Sequence, residues 1–400
     1  MLEGLIAIHQ ETMSTVSTAV HRYLYHKINW SAKAICIYGD RGVGKSTLVS
    51  QFLLKKYQTP EKALYVSADN IIVTSTGLFA IAQEYFAYGG DALFIDEIHK
   101  YENWSIELKN IIDTYKNHQI VFTGSSCLDL KASKGDLSRR VVYHRLFGLS
   151  FREFLQLELS TQFPVFSLDE IIKSHVNIIH ELNIKPILKY FRQYINYGYY
   201  PFYLEGVGDY LSKLNNVIEK VIYDDISVIY NLKISTATLL KKILWLIATA
   251  RILIPNIDSI AKNLQVSREA IYNCIEYLDR AGLIHNVYPA STGMKLIRKP
   301  GKIFLSNSNI LYAINGTLNL MSDIGAIRET FFTNQVSAFH KINTHDHGDY
   351  IIDDKYVLEV GGKNKSPRQI KNQDNAYLAL DDIEIGFGNK IPLYLFGFLL

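Results

Sequence analysis

Ala34-Ile35-Cys36-Ile37-Tyr38 runs directly into Gly39-Asp40-Arg41-Gly42-Val43-Gly44-Lys45-Ser46, and the segment from Thr47 to Tyr57 continues with a helical period. The middle stretch fits G-x-x-x-x-G-K-[ST] without a mismatch, in the strand-then-helix setting that the pattern needs. Its glycines let the backbone wrap so that N–H groups point inward, and the positive end of a helix dipole adds to them. Lys45 then reaches the β- and γ-phosphates of a nucleotide, and the Ser46 hydroxyl holds Mg²⁺. The candidate ATP contacts are Gly39, Asp40, Arg41, Gly42, Val43, Gly44, Lys45, Ser46 and Thr47. An ordinary glycine-rich turn is the alternative.

Outward from this loop, short apolar runs alternate with helical segments. AICIY (34–38), ALYVS (63–67), ALFID (92–96), QIVFT (119–123) and VVYHRL (141–146) read as strands, with SIELKNIIDTY (105–115) as one intervening helix. Such alternation predicts an α/β fold, a parallel sheet with helices on both faces. ALFID ends in Asp96 followed by Glu97, and ligands of open α/β sheets bind at that strand edge. Asp96 is the candidate Mg²⁺ ligand beside Ser46, and Glu97 the candidate base that orients the attacking water. A solvated strand end is the bland alternative.

Arg139 and Arg140 precede the fifth strand. A guanidinium suits a transferring phosphoryl group, so a finger supplied from a neighbouring subunit fits this place. A surface pair balancing Asp136 fits equally.

The chain's 400 residues exceed one ordinary core, so several domains are expected. Hydrophobic residues at 48% and charged residues at 20% exclude a disordered chain. A net charge of +3 neither demands nor forbids nucleic acid. Cys36, Cys127 and Cys274 are too scattered for a disulfide framework or a CxxC knuckle, which points to a reduced, cytoplasmic setting. No leader pattern or membrane-length apolar run is present, so no membrane partner is expected. The histidines lack metal-ligand spacing: His21 and His26 fall on different helix faces, and His345 and His347 lie in a polar loop.

Beyond Ser150 the text becomes mostly amphipathic helix to about Leu232, broken by a loop at INYGYYPFYLEG (195–206). Within 233–316, the segments 255–264 and 268–278 read as a helix-turn-helix, with Ala261 at the crossing and Ser267 capping the second helix. AGLIHNVYP and IRKPGKIFLS would supply a strand pair after it. From Arg268 to Arg280 the arginines face Glu269, Glu276 and Asp279, a poor surface for major-groove reading. Lys295, Arg298, Lys299 and Lys302 gather around the strand pair and suit phosphate contact, while packing or partner docking is the equal alternative. In 317–400, a helix beginning at Arg328 precedes a hairpin with Asp353-Asp354 as its turn.

The combination GDRGVGKST, ALFIDEIHK with Trp104 soon after, VFTGSS and SRRVVYHRLFGLSFREFL resembles a group of prokaryotic AAA+ ATP-binding proteins, over nearly the whole chain. The resemblance implies an ATPase core with its N-terminal segment (1–149), a helical lid (150–232), a winged helix (233–316) and a PD-(D/E)xK nuclease-like domain (317–400). It implies that Thr123 or Ser125 senses the γ-phosphate, and places the family's arginine on Arg140. GYYP (198–201) matches the family's Gly-Gly-Tyr-Pro turn, with Tyr199 replacing the second glycine. A nuclease site would use Asp349, Glu359 and a lysine two residues on, where this chain has Gly361. Lys363 shares that strand parity, but Gly361-Gly362 should bend the strand first, so an inactive scaffold is expected.

The expectation is a Mg²⁺-dependent AAA+ ATPase that couples nucleotide state to DNA or a partner, with a homo-oligomer as one arrangement. The alternatives are a nucleotide-gated DNA-binding switch with little turnover, or a weak Mg²⁺-dependent nuclease.

Overall fold

The computed structural model describes residues 1–125, 137–250, 254–290 and 300–399. Two compact units divide the chain, Met1–Gly148 and Leu149–Leu400.

The first unit is built on five parallel strands, β1 (Ala34–Gly39), β2 (Ala63–Ser67), β3 (Ala92–Asp96), β4 (Gln119–Ser125) and β5 (Val142–Arg145). Their spatial order is β2-β3-β4-β1-β5. β1, β3 and β4 are nearly continuous apolar runs and sit in the middle of the sheet, as strands covered on both faces must. Leu48, Leu53, Ile81, Leu108 and Ile111, from helices Lys45–Lys56, Leu78–Ala87 and Trp104–Thr114, are wholly or almost wholly buried. The N-terminal helix Leu2–Ser14 closes the β2 edge, where His9 Nδ1 accepts the Tyr65 N–H at 2.9 Å. That bond satisfies a backbone donor which the sheet itself leaves unpaired.

The order of the strands matters more than their number. β4 runs between β1 and β3, so the ends of all three meet on one edge. The phosphate loop, the acidic pair and the Thr123–Ser125 strand end are neighbours for that reason.

The second unit carries helices Phe151–Leu159, Leu168–Leu182, Ile187–Tyr197, Tyr210–Lys220 and Ile234–Thr249. The loop expected at 195–206 begins only after Tyr197, where helix Ile187–Tyr197 ends, and it contains a 3₁₀ turn, Pro201–Glu205, because Pro201 fixes a helical φ at its start. Buried Asn309 ties this turn down: Oδ1 accepts the Tyr199 N–H at 2.8 Å, and Nδ2 donates to the Ile195 carbonyl at 2.7 Å. Gly198 is required by packing, since a Cβ there would lie 2.6 Å from Tyr194 Cα.

Helices Ile257–Leu264 and Arg268–Arg280 form the helix-turn-helix, with Ser267 Oγ accepting the Ala270 N–H and Ala261 buried. Antiparallel β6 (Ile284–Val287) and β7 (Lys302–Leu305) follow. A second sheet has the order β12-β11-β10-β9-β8, from β8 (Ile342–Thr344), β9 (Tyr350–Ile352), β10 (Tyr356–Gly362), β11 (Ala376–Asp381) and β12 (Lys390–Pro392). The helix before it starts at Ile324, earlier than expected, because Asp323 caps it through the Ala326 N–H. Phe151 and Phe191 share one aromatic core with Phe331 and Phe398, binding the first helices of this unit to its last residues.

Candidate functional site

The phosphate loop follows β1 and ends at the N-terminus of helix Lys45–Lys56. Gly42 and Gly44 have φ of 86° and 92°, a region where a side chain is strained. A Cβ on Gly39 would stand 2.2 Å from the Leu146 carbonyl oxygen, so only glycine fits beneath the loop. Lys45 is 4% exposed, and its ammonium donates to the carbonyls of Gly39 and Asp40 at 3.0 Å each. Burying an ammonium on carbonyls alone is costly, and an anion at the same place would offset that cost. Ser46 is half-buried and Thr47 exposed at the start of the helix.

Asp96, at the end of β3, is 7% exposed. Its Oδ2 accepts from the Tyr65 hydroxyl at 2.7 Å, and its Oδ1 from the Thr123 hydroxyl. Burial, reinforced by the Asp96 charge, pushes Tyr65 far above the ordinary tyrosine range, so it stays a donor. Thr123 Oγ1 also accepts the Glu97 N–H at 2.9 Å. One hydroxyl therefore links both members of the acidic pair, and Glu97 sits at φ 50°, a conformation such a tie helps to hold. Of the two candidates on β4, Thr123 is fully buried and committed to Asp96 and Glu97, while Ser125 stands at the strand end and gives its N–H to His99.

Arg140 is not brought to this edge in its own chain. The register pairs Val142 with Ile35, which sets Arg140 level with Lys33, roughly 20 Å of strand rise from Gly39 at about 3.3 Å per residue. Its described partner is Asp113; Asp136 and Cys127 lie outside the described residues. The guanidinium that does stand beside the loop is Arg145, 3.9 Å from Asp40 Oδ1 and stacked on Phe147. Arg22, 9% exposed, donates to the Val43 carbonyl and to those of Phe147 and Gly148 at 2.7 and 2.9 Å, fastening the loop's crest to the chain after β5. Neither has a motif to announce it. Only the end-of-strand position of Arg145, matching Asp96 and Ser125 on their strands, could have marked it.

The second unit holds a separate polar cluster. Glu359, 1% exposed on β10, pairs with Lys365 at 2.9 Å. Lys302 lies 2.8 Å from Glu329 and 3.3 Å from Asp349, whose other oxygen accepts the Val360 N–H. β10 ends at Gly362, with a turn that begins at Lys363, and Lys365 folds back over Gly361, its Cγ only 2.7 Å from where a Cβ would be. Against the downward pull of burial, the hydrogen bond and charge of Glu359 raise the Lys365 ammonium above its usual range. Among the described residues no group of histidine, cysteine and carboxylate side chains is arranged to hold a metal. Lys295, Arg298 and Lys299 lie outside the described residues.

Residues 31–155 match the family model described as "AAA domain". All five strands of the first unit's parallel sheet lie within that match. Residues 188–321 match a model described as "Domain of unknown function (DUF8612)". Uncharacterized protein MJ1637 of Methanocaldococcus jannaschii is 27% identical, over 93% of this chain and 85% of its own length. Uncharacterized protein MJ1544 of the same organism is 24% identical, over 87% and 80%. Among solved structures, AMPPCP-bound DnaA from Aquifex aeolicus aligns with 64% of this chain and 84% of its own at 16% identity and TM-score 0.29. The Aeropyrum pernix ORC1 protein in complex with DNA aligns with 78% and 91% at 13% identity and TM-score 0.32. Similarity that low leaves function to be argued from the site.

Proposed function

We propose that this chain is a Mg²⁺-dependent ATPase. The observation that supports it most is the convergence of the buried Lys45 ammonium with Asp96 and Glu97, on strand ends separated only by β4. In this reading Gly39–Thr47 cradle the phosphates and Lys45 leaves its carbonyls for the β- and γ-phosphate oxygens. Ser46 and Asp96 hold Mg²⁺, whose charge offsets that of the triphosphate. The Tyr65 and Thr123 hydroxyls fix the Asp96 carboxylate, so its orientation is set before nucleotide arrives. Glu97 accepts a proton from the water whose oxygen bonds to the γ-phosphorus, while the bridging oxygen leaves with ADP. Ser125 is the strand-end group for the γ-phosphate, and Arg140 serves a neighbouring copy.

Residues 233–316 are read as a winged helix and 317–400 as an inactive nuclease-like scaffold, in a cytoplasmic protein. No described helix is long and apolar enough to cross a membrane. Arg268 and Arg280 are engaged by Asp258 and Glu276, and Lys302 turns inward, which favours partner docking or backbone contact over base reading as the output. Glu97→Gln tests the enzymatic part: Mg-ATP binding is retained and phosphate release falls to background. Wild-type turnover in that variant removes Glu97 from its role.

A further inference from the structure

Val43, at the crest of the phosphate loop, is 0% exposed. A carbonyl removed from water needs a donor. Arg22 supplies one: its Nη1 donates to the Val43 carbonyl in a buried hydrogen bond. The Val43–Gly44 peptide is trans, since the one cis bond among the described residues joins Lys185 to Pro186. In a trans peptide the C=O and the following N–H point in opposite directions. Fixing the Val43 carbonyl on Arg22 therefore turns the Gly44 N–H away from Arg22. The base of the loop is arranged differently, with the Gly39 and Asp40 carbonyls drawn to the Lys45 ammonium.

Neighbouring backbone fixes Arg22 in its place. Gln51, on helix Lys45–Lys56, donates to the Ser17 and Val20 carbonyls at 2.7 and 3.0 Å, anchoring the segment that leads to Arg22. Tyr23, the first residue of helix Tyr23–Lys27, donates its hydroxyl to the Arg145 carbonyl at 3.1 Å. Arg22 Nη2 donates to the carbonyls of Phe147 and Gly148 at 2.7 and 2.9 Å. That stretch is itself tied to the sheet, because the Leu146 N–H bonds to the Tyr38 carbonyl at 2.8 Å. The guanidinium thus spans from the sheet's edge to the loop, with a rigid fork at both ends.

We propose that Arg22 is the positioning residue of the phosphate loop, holding the Val43–Gly44 peptide so that the Gly44 N–H faces the bound phosphates. The inference rests on the reading of Gly39–Thr47 as the triphosphate cradle, and adds what sets its crest before nucleotide arrives. Gly44 has φ 92° and no Cβ, so its peptide can turn over once the Val43 carbonyl is released. Arg22 removes that freedom. An amide aimed in advance bonds to phosphate without first reorganising. Arg22 acts through the peptide and not on phosphate itself.

The test uses the full chain. Arg22→Met keeps the apolar stem but has no donor, and Arg22→Lys keeps a cation without the fork. Calorimetry with Mg-ATP, alongside thermal melts, separates positioning from structural support. In Arg22→Met the affinity should fall by roughly 10- to 100-fold, the range of one hydrogen bond to a charged group. Arg22→Lys should fall between Arg22→Met and wild type. A purely structural arginine would lower the melting temperature and leave the affinity of the folded protein unchanged. A folded Arg22→Met that binds Mg-ATP within about twofold of wild type, or a loss confined to kcat, overturns the proposal. Should Arg22→Met fail to fold, Arg22→Lys decides it: affinity weakened beyond about twofold supports the role, and a smaller change overturns it. If wild-type protein itself gives no heat with Mg-ATP, the underlying reading fails. If wild type and folded Arg22→Met bind Mg-ATP equally, only the positioning role fails.

Discussion

Arg140 grips Asp113 with two hydrogen bonds, Nε to Oδ1 at 2.7 Å and Nη2 to Oδ2 at 3.1 Å, on the sheet edge where the strands begin. The pairing draws the Asp113 carboxyl below its usual range, chiefly through the hydrogen bond from Arg140. In the proposed reading the phosphates bind at the other edge, so a role of Arg140 in hydrolysis would be at a nucleotide held by another copy.

Mixing variants tests that role. Arg140→Ala should bind Mg-ATP normally and hydrolyse it slowly, and Lys45→Ala should not bind it. Together they should hydrolyse faster than the sum of the separate rates, because Lys45→Ala copies lend Arg140 to sites that hold nucleotide. A mixture no faster than its components shows that Arg140 serves no neighbour.

Thr123 gives a prediction with an internal control. Thr123→Val preserves shape but strands the Glu97 N–H and one oxygen of buried Asp96. We expect about 2 kcal/mol of lost stability from unmet buried polar groups, together with slower hydrolysis. Thr123→Ser should restore both, because it returns the hydroxyl. Denaturant melts alongside phosphate-release rates give the two readouts.

Lys302 sits between Glu329 and Asp349, with little of any of the three exposed. Lys302→Met leaves two carboxylates facing each other without a cation, and should cost roughly 3 kcal/mol. Adding Glu329→Gln should recover part of that loss. Chemical denaturation of the single and double variants decides it, and an additive double variant would show that the groups are not coupled.

Burial lowers the titration of His9 below its ordinary value, with Glu61 opposing more weakly. The folded protein therefore binds this proton less readily than the unfolded chain. The associated stability is complete above the unfolded value of 6.5 and is lost as pH falls from there through the lowered folded value. Thermal melts from pH 7.5 down to about pH 5 should show the loss, and His9→Gln should flatten that slope. An unchanged slope in His9→Gln would remove His9 from the acid response.

The core and its phosphate loop were legible because they are local. Apolar runs of strand length, one unbroken loop motif and Asp96-Glu97 at a strand end each fall within a few residues of sequence. Contacts across the sheet were not legible: Arg22 reaches Val43, Arg145 reaches Asp40, and His99 meets Ser125 only because β4 lies beside β3. Lys365 was missed for a related reason. Lys363 shares the strand parity, whereas the turn after Gly362 and the bare surface of Gly361 let Lys365 fold back. Residue type and spacing mark the groups that touch phosphate. They do not mark the groups that hold those in place.

The central claim is that the loop from Gly39 to Ser46 binds a nucleoside triphosphate with magnesium. Isothermal calorimetry of folded wild-type protein and Lys45→Ala with Mg-ATP addresses it directly. A saturable heat in the wild type that vanishes in Lys45→Ala is the predicted result. No heat from wild-type protein with either Mg-ATP or Mg-GTP up to millimolar concentration would contradict it.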